Sequence, residues 1–168
     1  MTDEFPPERH VYGRTDAPVT ILEFGDLECP YCRAAAGPLR ELVDTSDGRV
    51  RLVWRHFPLF EVHPHALSAA LAAEAAGRHG RFWEMHELLM GDQSRLSEPD
   101  LRQAATSLGI DPSEVAGPGA QALAPAVQGD YAAGFELGVQ GTPTLFVNGE
   151  RFHGKITADR LREAVDRA

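Results

Sequence analysis

The sequence has few cationic side chains. It has 16 lysine and arginine residues against 25 acidic ones in 168 residues, a formal net charge of −9. We expect no nucleic-acid partner, because binding a phosphate backbone depends on cations that release its counterions. No apolar run approaches the eighteen residues that cross a membrane, so we expect no membrane partner either. The first residues are acidic and proline-bearing, unlike a secretory signal, and we expect a cytoplasmic location.

Cysteine is scarce as well. Only Cys29 and Cys32 are present, separated by Pro30 and Tyr31. A disulfide-built scaffold needs more cysteines at longer spacings. A structural zinc site usually needs a second Cys or His pair at ligand spacing. The pair is therefore either a working dithiol or an unusual half-site, and we expect neither a bound metal nor another cofactor.

The pattern of apolar residues predicts one α/β domain with a mixed central sheet. Two β-branched runs, Val19–Phe24 and Val50–Phe57, flank a helix from Cys29 to Val43, which together form a parallel βαβ unit. The middle of the chain is helical, with a break at Gly117–Gly119. The end contains a strand at Pro143–Val147, an Asn148–Gly149 turn, a return strand over Glu150–His153 and a helix capped by Thr157. Residues 1–18 are predicted to be irregular.

The first cysteine is predicted to be a thiolate. Cys29 falls where a strand gives way to a helix, and Pro30 suits the first helical position. The free amides of Tyr31 and Cys32 and the helix dipole favour the charged sulfur. The carboxylates of Asp26 and Glu28 disfavour the thiolate, but we expect exposed charges to act more weakly than the helix terminus. We expect a lowered pKa for Cys29 and a more shielded Cys32 that resolves mixed disulfides.

Two further positions are informative, each with two interpretations. Glu23 is a carboxyl within an apolar strand. It is either buried, with a raised pKa that lets it exchange a proton with Cys32, or it faces solvent at a sheet edge. Pro143 follows Thr142 at a turn that enters a strand. Its peptide bond is either cis, as at some tight turns, or trans, as in most X–Pro bonds.

Two motifs together resemble the DsbA-like thiol:disulfide oxidoreductases. These are Glu-Phe-x-Asp-x-Glu-Cys-Pro-Tyr-Cys at Glu23–Cys32 and Gly-Thr-Pro-Thr at Gly141–Thr144, and the resemblance extends from about Pro18 onward. It implies a thioredoxin fold, with a core over residues 18–60 and 138–168 and a helical insertion over 61–137. It also implies a nucleophilic Cys29, a resolving Cys32, a buried acid at Glu23 and a cis Pro143. Thr142, Pro143, Pro30 and Tyr31 would contact the substrate.

The leading prediction is an oxidoreductase that exchanges disulfides with protein or small-molecule thiols through a mixed disulfide on Cys29. We expect a monomer that works with an unidentified redox partner, and the sequence leaves the direction of electron flow open. One alternative is a metal-binding module using Cys29, Cys32 and His63. The other is a chaperone-like module that binds peptides. The residues that could form its apolar groove suit the core of the helical segment better (Phe82, Trp83, Met85, Leu88 and Leu89).

Overall fold

The computed structural model describes residues 9–168 as five strands and seven α-helices. The strands are β1 (Val11–Tyr12), β2 (Val19–Gly25), β3 (Val50–His56), β4 (Thr144–Val147) and β5 (Glu150–Arg151). The helices are α1 (Pro30–Asp44), α2 (Ala66–Gly77), α3 (Phe82–Gly91), α4 (Glu98–Ser107), α5 (Pro118–Gln121), α6 (Ala124–Glu136) and α7 (Ala158–Arg167). A short 3₁₀ turn lies at Pro112–Glu114. None of the helices within the described range is long and apolar enough to cross a bilayer.

The strands form one mixed sheet in the order β1-β3-β2-β4-β5. β2 and β3 are parallel, whereas the other three neighbouring pairs are antiparallel. β2 is therefore a central strand, and Glu23 within it pairs in register with Trp54 on one side and Leu145 on the other. This position rules out the interpretation that Glu23 faces solvent at a sheet edge.

Local signals in the sequence explain where several elements begin. Pro30 occupies the first turn of α1, where its missing N–H is not needed. Ser97 and Asp100 form a reciprocal capping box at the start of α4. The Thr157 side chain accepts a hydrogen bond from the Arg160 amide and caps α7. Asn148 and Gly149 both adopt positive φ, 46° and 85°, as a tight turn between β4 and β5 requires.

Two main hydrophobic clusters lie on different parts of the sheet. One joins the sheet to α1 and α7 through Leu39, Leu145 and Leu161. The other fills the helical segment between β3 and β4, where α2 is buried along most of its length by small alanine side chains. Both cysteines and Trp54 belong to this second cluster. The dithiol therefore lies where the sheet meets the helical segment.

Three predicted features of the chain are wrong in detail. The segment before residue 18 contains β1, which pairs with β3, so the sheet begins earlier than the predicted core. The expected break at Gly117–Gly119 is the start of α5, because Pro118 suits a first helical turn. The return strand ends at Arg151 and does not reach His153. Residues 1–8, which belong to the same segment predicted to be irregular, lie outside the described range.

Candidate active site

Cys29 is the N-cap residue of α1, and Cys32 lies in the first turn of that helix. Both are buried: Cys29 is 2% exposed and Cys32 is not exposed at all. The predicted contrast in shielding is therefore small. The backbone N–H of Asp26 donates to the Cys32 sulfur at 3.4 Å. The Cys29 sulfur lies 3.6 Å from the Thr142 carbonyl oxygen, to which it can donate only in its protonated form. Pro30 and Tyr31, between the cysteines, are exposed, Tyr31 by 73%.

The two thiols differ strongly in pKa. A hydrogen bond from the Cys32 thiol is the largest cause that lowers the pKa of Cys29, to about 5, against the opposing effect of burial. The side chain of Thr142 and the amides of Cys32 and Tyr31 contribute in the same direction as Cys32. The amides at the helix terminus therefore contribute as expected, but the Cys32 thiol lowers the Cys29 pKa by more than they do. Burial, together with the same hydrogen bond, raises the pKa of Cys32 well above its ordinary range. Near neutral pH, the reduced site holds one thiolate, on Cys29, and one thiol, on Cys32.

Glu23 lies beneath this pair as a buried carboxyl. It is 2% exposed, and burial, followed by the negative charge on Cys29, raises its pKa to about 8. Its Oε1 atom has no hydrogen-bond partner among the described residues. The Glu23 charge in turn contributes to the raised pKa of Cys32. The carboxyl is thus protonated over most of the neutral range and lies close enough to Cys32 to influence its ionisation.

The loop before β4 faces the dithiol. The Thr142–Pro143 peptide bond is cis, and Thr142 supplies the carbonyl oxygen that contacts the Cys29 sulfur. The Thr144 hydroxyl donates to the Gly141 carbonyl oxygen at 2.7 Å and holds the turn. The structure therefore brings Cys29, Cys32, Glu23 and Thr142 to one place, although 113 positions separate Cys29 from Thr142.

Asp26 has a role that differs from the expected one. It is buried, with 1% exposure, so it does not act as a solvated charge beside Cys29. One oxygen accepts from the Glu28 amide at 2.8 Å, and the other accepts from the Leu59 amide at 2.9 Å. His63 Nδ1 lies 2.8 Å from that second oxygen. Burial lowers the pKa of His63, but the hydrogen bond and charge of Asp26, together with the charges of Cys29 and Glu28, raise it, and the net direction is upward.

Gln93, between α3 and α4, is a contact that the sequence did not indicate. Its side-chain amide donates to the carbonyl oxygens of Leu27 and Cys29, at 3.0 and 2.9 Å. It therefore fastens the segment that leads into α1 to the helical segment of the chain. A single glutamine in a loop carries no pattern in the sequence that would have identified this contact.

The alternative metal set is not assembled. Among residues 9–168, Cys29, Cys32 and His63 do not form a group with converging ligand atoms. The group that does converge is His10, His56 and Glu74, with ligand atoms within 4.8 Å of one another. All three residues are buried.

The chemistry of that second group does not suit a cation. Trp54 Nε1 donates to His56 Nδ1 at 3.1 Å, so the neutral His56 ring carries its proton on Nε2 and has no lone pair there for a metal. Burial lowers the pKa of His56 to about 3, which keeps the ring neutral. The guanidinium of Arg9, 3.1 Å from Glu74, already supplies a positive charge. These residues form a buried polar network that joins the sheet to α2.

The helical residues considered as a peptide groove are mostly core. Phe82, Met85 and Leu89 are buried, Trp83 is half-buried, and Leu88 is the exposed member. Packing within the helical segment therefore accounts for most of this apolar stripe.

Comparison with known proteins supports the same assignment as the geometry. A family model described as thioredoxin matches residues 6–167. A thioredoxin-like oxidoreductase from Silicibacter pomeroyi DSS-3 is 32% identical, with a TM-score of 0.82, over 96% of this chain and 92% of that one. The thiol-disulfide exchange protein alpha-DsbA2 from Wolbachia pipientis shares the fold, with a TM-score of 0.82 at 22% identity, over 95% of this chain and 86% of that one. The predicted DsbA-like fold and oxidoreductase class are confirmed.

A curated relative carries a similar segment as part of a longer protein. The Na(+)/H(+) antiporter NhaA 1 of Salinispora arenicola (strain CNS-205) is 45% identical over 164 residues, which are 97% of this chain and 25% of that protein. The chain therefore spans about a quarter of the length of this relative.

Proposed function

This chain belongs to the thioredoxin family, and from that premise we propose that it exchanges disulfide bonds with thiol substrates through a mixed disulfide on Cys29. The observation that carries the proposal is the division of the dithiol into a thiolate and a thiol. Cys29 has a pKa of about 5, whereas the pKa of Cys32 lies well above its ordinary range. A low-pKa thiolate is a good leaving group, and its stability favours the reduced form of the pair. We therefore propose that the pair donates its disulfide to substrates.

The first step is attack by a substrate thiolate on the Cys29 sulfur. A substrate–Cys29 bond forms, the Cys29–Cys32 bond breaks, and the electron pair leaves on the Cys32 sulfur. Because the pKa of Cys32 is raised, this sulfur takes up a proton. We propose that Glu23, which is mostly protonated near neutral pH, supplies it.

The second step releases the product. A second substrate thiolate attacks the substrate sulfur of the mixed disulfide, so that the substrate disulfide forms and Cys29 leaves as a thiolate. The pair has then gained two electrons, which an unidentified redox partner removes. We propose that Thr142, Pro143, Pro30 and Tyr31 contact the substrate, because Thr142 lies against the Cys29 sulfur and Pro30 and Tyr31 are exposed beside it. The expected monomer and cytoplasmic location stay predictions.

Two cysteine variants test the mechanism with an oxidisable dithiol peptide. Cys29→Ser should abolish exchange with this peptide. Cys32→Ser, first charged as a mixed disulfide with glutathione, should exchange glutathione for a peptide with a single thiol and accumulate as a Cys29–peptide disulfide, because no second substrate thiolate is present to release Cys29. Mass spectrometry without reductant measures both species. Residual exchange by Cys29→Ser would reject the mechanism.

The direction of transfer is tested by the reduction potential of the Cys29–Cys32 pair, equilibrated against glutathione. We expect a value more oxidising than about −200 mV, above the biochemically measured cytosolic glutathione poise. A value below about −270 mV, as in thioredoxin, would instead assign the pair to reduction of substrates.

A further inference from the structure

A cleft of about 350 Å³ lies between α1 and α3, on the side of the sheet that carries Glu23. Each helix contributes residues at intervals of three and four, so one face of each lines the space. The α1 wall consists of Arg33, Ala36, Gly37 and Arg40, and the α3 wall of Trp83, His86, Glu87, Met90 and Gly91. The floor comes from three strands, through Tyr12, Leu52 and Glu23. A volume of this size suits a small molecule.

The buried end of the cleft carries polar atoms without protein partners. Among the described residues, Glu23 Oε1, Trp83 Nε1 and both ring nitrogens of His86 are buried without a hydrogen bond. Glu23 and His86 are 2% and 5% exposed. Buried polar groups are nearly always satisfied, so a set of them around one cavity points to a polar group that enters it.

The walls of the cleft are kept open by glycine. A Cβ atom added at Gly37 or at Gly91 would meet no atom within 4 Å outside its chain neighbours and the backbone of its own helix. Glycine in a helix costs stability relative to alanine, and neither residue adopts a positive φ that would require it. Both positions therefore leave space between the helices that ordinary side chains would occupy.

The mouth of the cleft carries two arginines, Arg33 and Arg40, and one carboxylate, Glu87. Arg33 donates to the Gly91 carbonyl oxygen across the opening at 3.2 Å. Arg40 pairs with Glu87 and lies 4.9 Å above the Tyr12 ring. Arg33 is exposed, and its hydrogen bond goes to a neutral carbonyl. Its charge also acts on Asp92, and it can pair with an anion that enters the mouth.

We propose that this cleft binds a small aromatic carboxylate. The flat apolar ring lies between the two helix walls, and its carboxylate pairs with Arg33 at the mouth. A hydroxyl or carbonyl group at the far end of the ring meets Glu23, Trp83 and His86, which together offer both donors and an acceptor. The binding site does not depend on the dithiol mechanism proposed above.

Calorimetric titration of the oxidised protein with 4-hydroxyphenylacetate tests the proposal, because this probe carries both polar ends. Phenylacetate lacks the hydroxyl, and 2-(4-hydroxyphenyl)ethanol lacks the carboxylate. We expect binding of the first compound and about tenfold weaker binding of each of the other two. No measurable binding of 4-hydroxyphenylacetate at about 10 mM, or equal binding of all three compounds, would overturn the proposal.

Two leucine substitutions on α1 locate the site. Gly37→Leu fills the cleft and should weaken binding of 4-hydroxyphenylacetate by about tenfold or more. Ala34→Leu places the same side chain on an exposed part of the helix outside the cleft and should leave binding unchanged. Unchanged binding by a folded Gly37→Leu variant would overturn the proposal.

A second variant covers the case in which Gly37→Leu does not fold. Arg33→Gln removes the charge at the mouth from an exposed position. It should weaken binding of 4-hydroxyphenylacetate by about threefold or more and leave 2-(4-hydroxyphenyl)ethanol unaffected. An equal effect on both compounds, or no effect on either, would contradict the proposed orientation of the ligand.

Discussion

Replacing Glu23 with glutamine should stabilise the protein, and the gain should grow with pH. The pKa of this carboxyl is raised from an ordinary 4.5 to about 8 in the folded state, with burial as the largest cause. The folded protein therefore holds this proton more tightly than the unfolded chain does. As pH rises through this interval, the unfolded chain releases the proton first, and the folded state loses stability relative to it.

The magnitude follows from the width of the interval. The interval from the ordinary pKa of 4.5 to pH 7 spans about 2.5 pH units, and each unit costs about 1.36 kcal/mol of folding free energy. At pH 7 the buried Glu23 carboxyl therefore destabilises the folded state by about 3 kcal/mol. Above pH 8 the cost reaches its limit of about 5 kcal/mol, and below pH 4.5 it disappears. Glutamine has the shape of the protonated carboxyl and does not ionise, so Glu23→Gln should gain these amounts at the respective pH values.

Guanidinium unfolding of the reduced protein, followed by tryptophan fluorescence between pH 4.5 and 8.5, measures this difference. Glu163→Gln on α7 is the matched control, because Glu163 is exposed and its replacement should change stability by less than about 0.5 kcal/mol at every pH. The oxidised protein should retain most of the effect, since burial is a larger cause than the Cys29 charge. A gain that does not vary with pH would show that burial does not hold the Glu23 proton.

Two further predictions concern the surroundings of Cys29. Cys32→Ala should raise the pKa of Cys29 above about 5, because the Cys32 thiol is the largest cause of the lowered value. Thiolate absorbance near 240 nm during a pH titration measures this pKa, and an unchanged value would assign the effect to Thr142 and the backbone amides instead. Asp26→Asn should lower the pKa of His63, whose ring lies 2.8 Å from the carboxylate, and should cost about 1–3 kcal/mol of stability. Titration of the His63 ring by NMR tests this, and an unshifted midpoint would contradict the role of Asp26.

The elements that could be predicted from sequence are those set by neighbouring residues. Pro30 marks the start of α1, Thr157 caps α7, and Asn148–Gly149 makes the hairpin turn, because each acts on backbone within a few positions. The strands β2 and β3 were visible for a similar reason, as short β-branched runs with clear ends. The two-residue β1 carries no such pattern, and only its pairing with β3 makes it a strand.

The candidate active site also combines features that the sequence predicts with features that depend on distant segments of the chain. The Cys-Pro-Tyr-Cys spacing places both sulfurs at one helix end, so the sequence identified the dithiol and the direction of the Cys29 pKa. The prediction for Asp26 was wrong: from its position near Cys29 in the sequence we expected an exposed charge, but the residue is buried. Its buried position, fixed by the Leu59 amide and His63, depends on a loop more than thirty residues away.

By itself, the sequence determined the helix starts, the hairpin turn and the paired cysteines, because short-range hydrogen bonding and backbone preference decide them within one or two turns of chain. Tertiary structure alone decided that Glu23 is in a central strand, that Gln93 holds the Cys29 segment, and that α1 and α3 enclose a cleft. Burial and contact arise between segments distant in the chain, and their energies depend on neighbours that only the folded packing supplies.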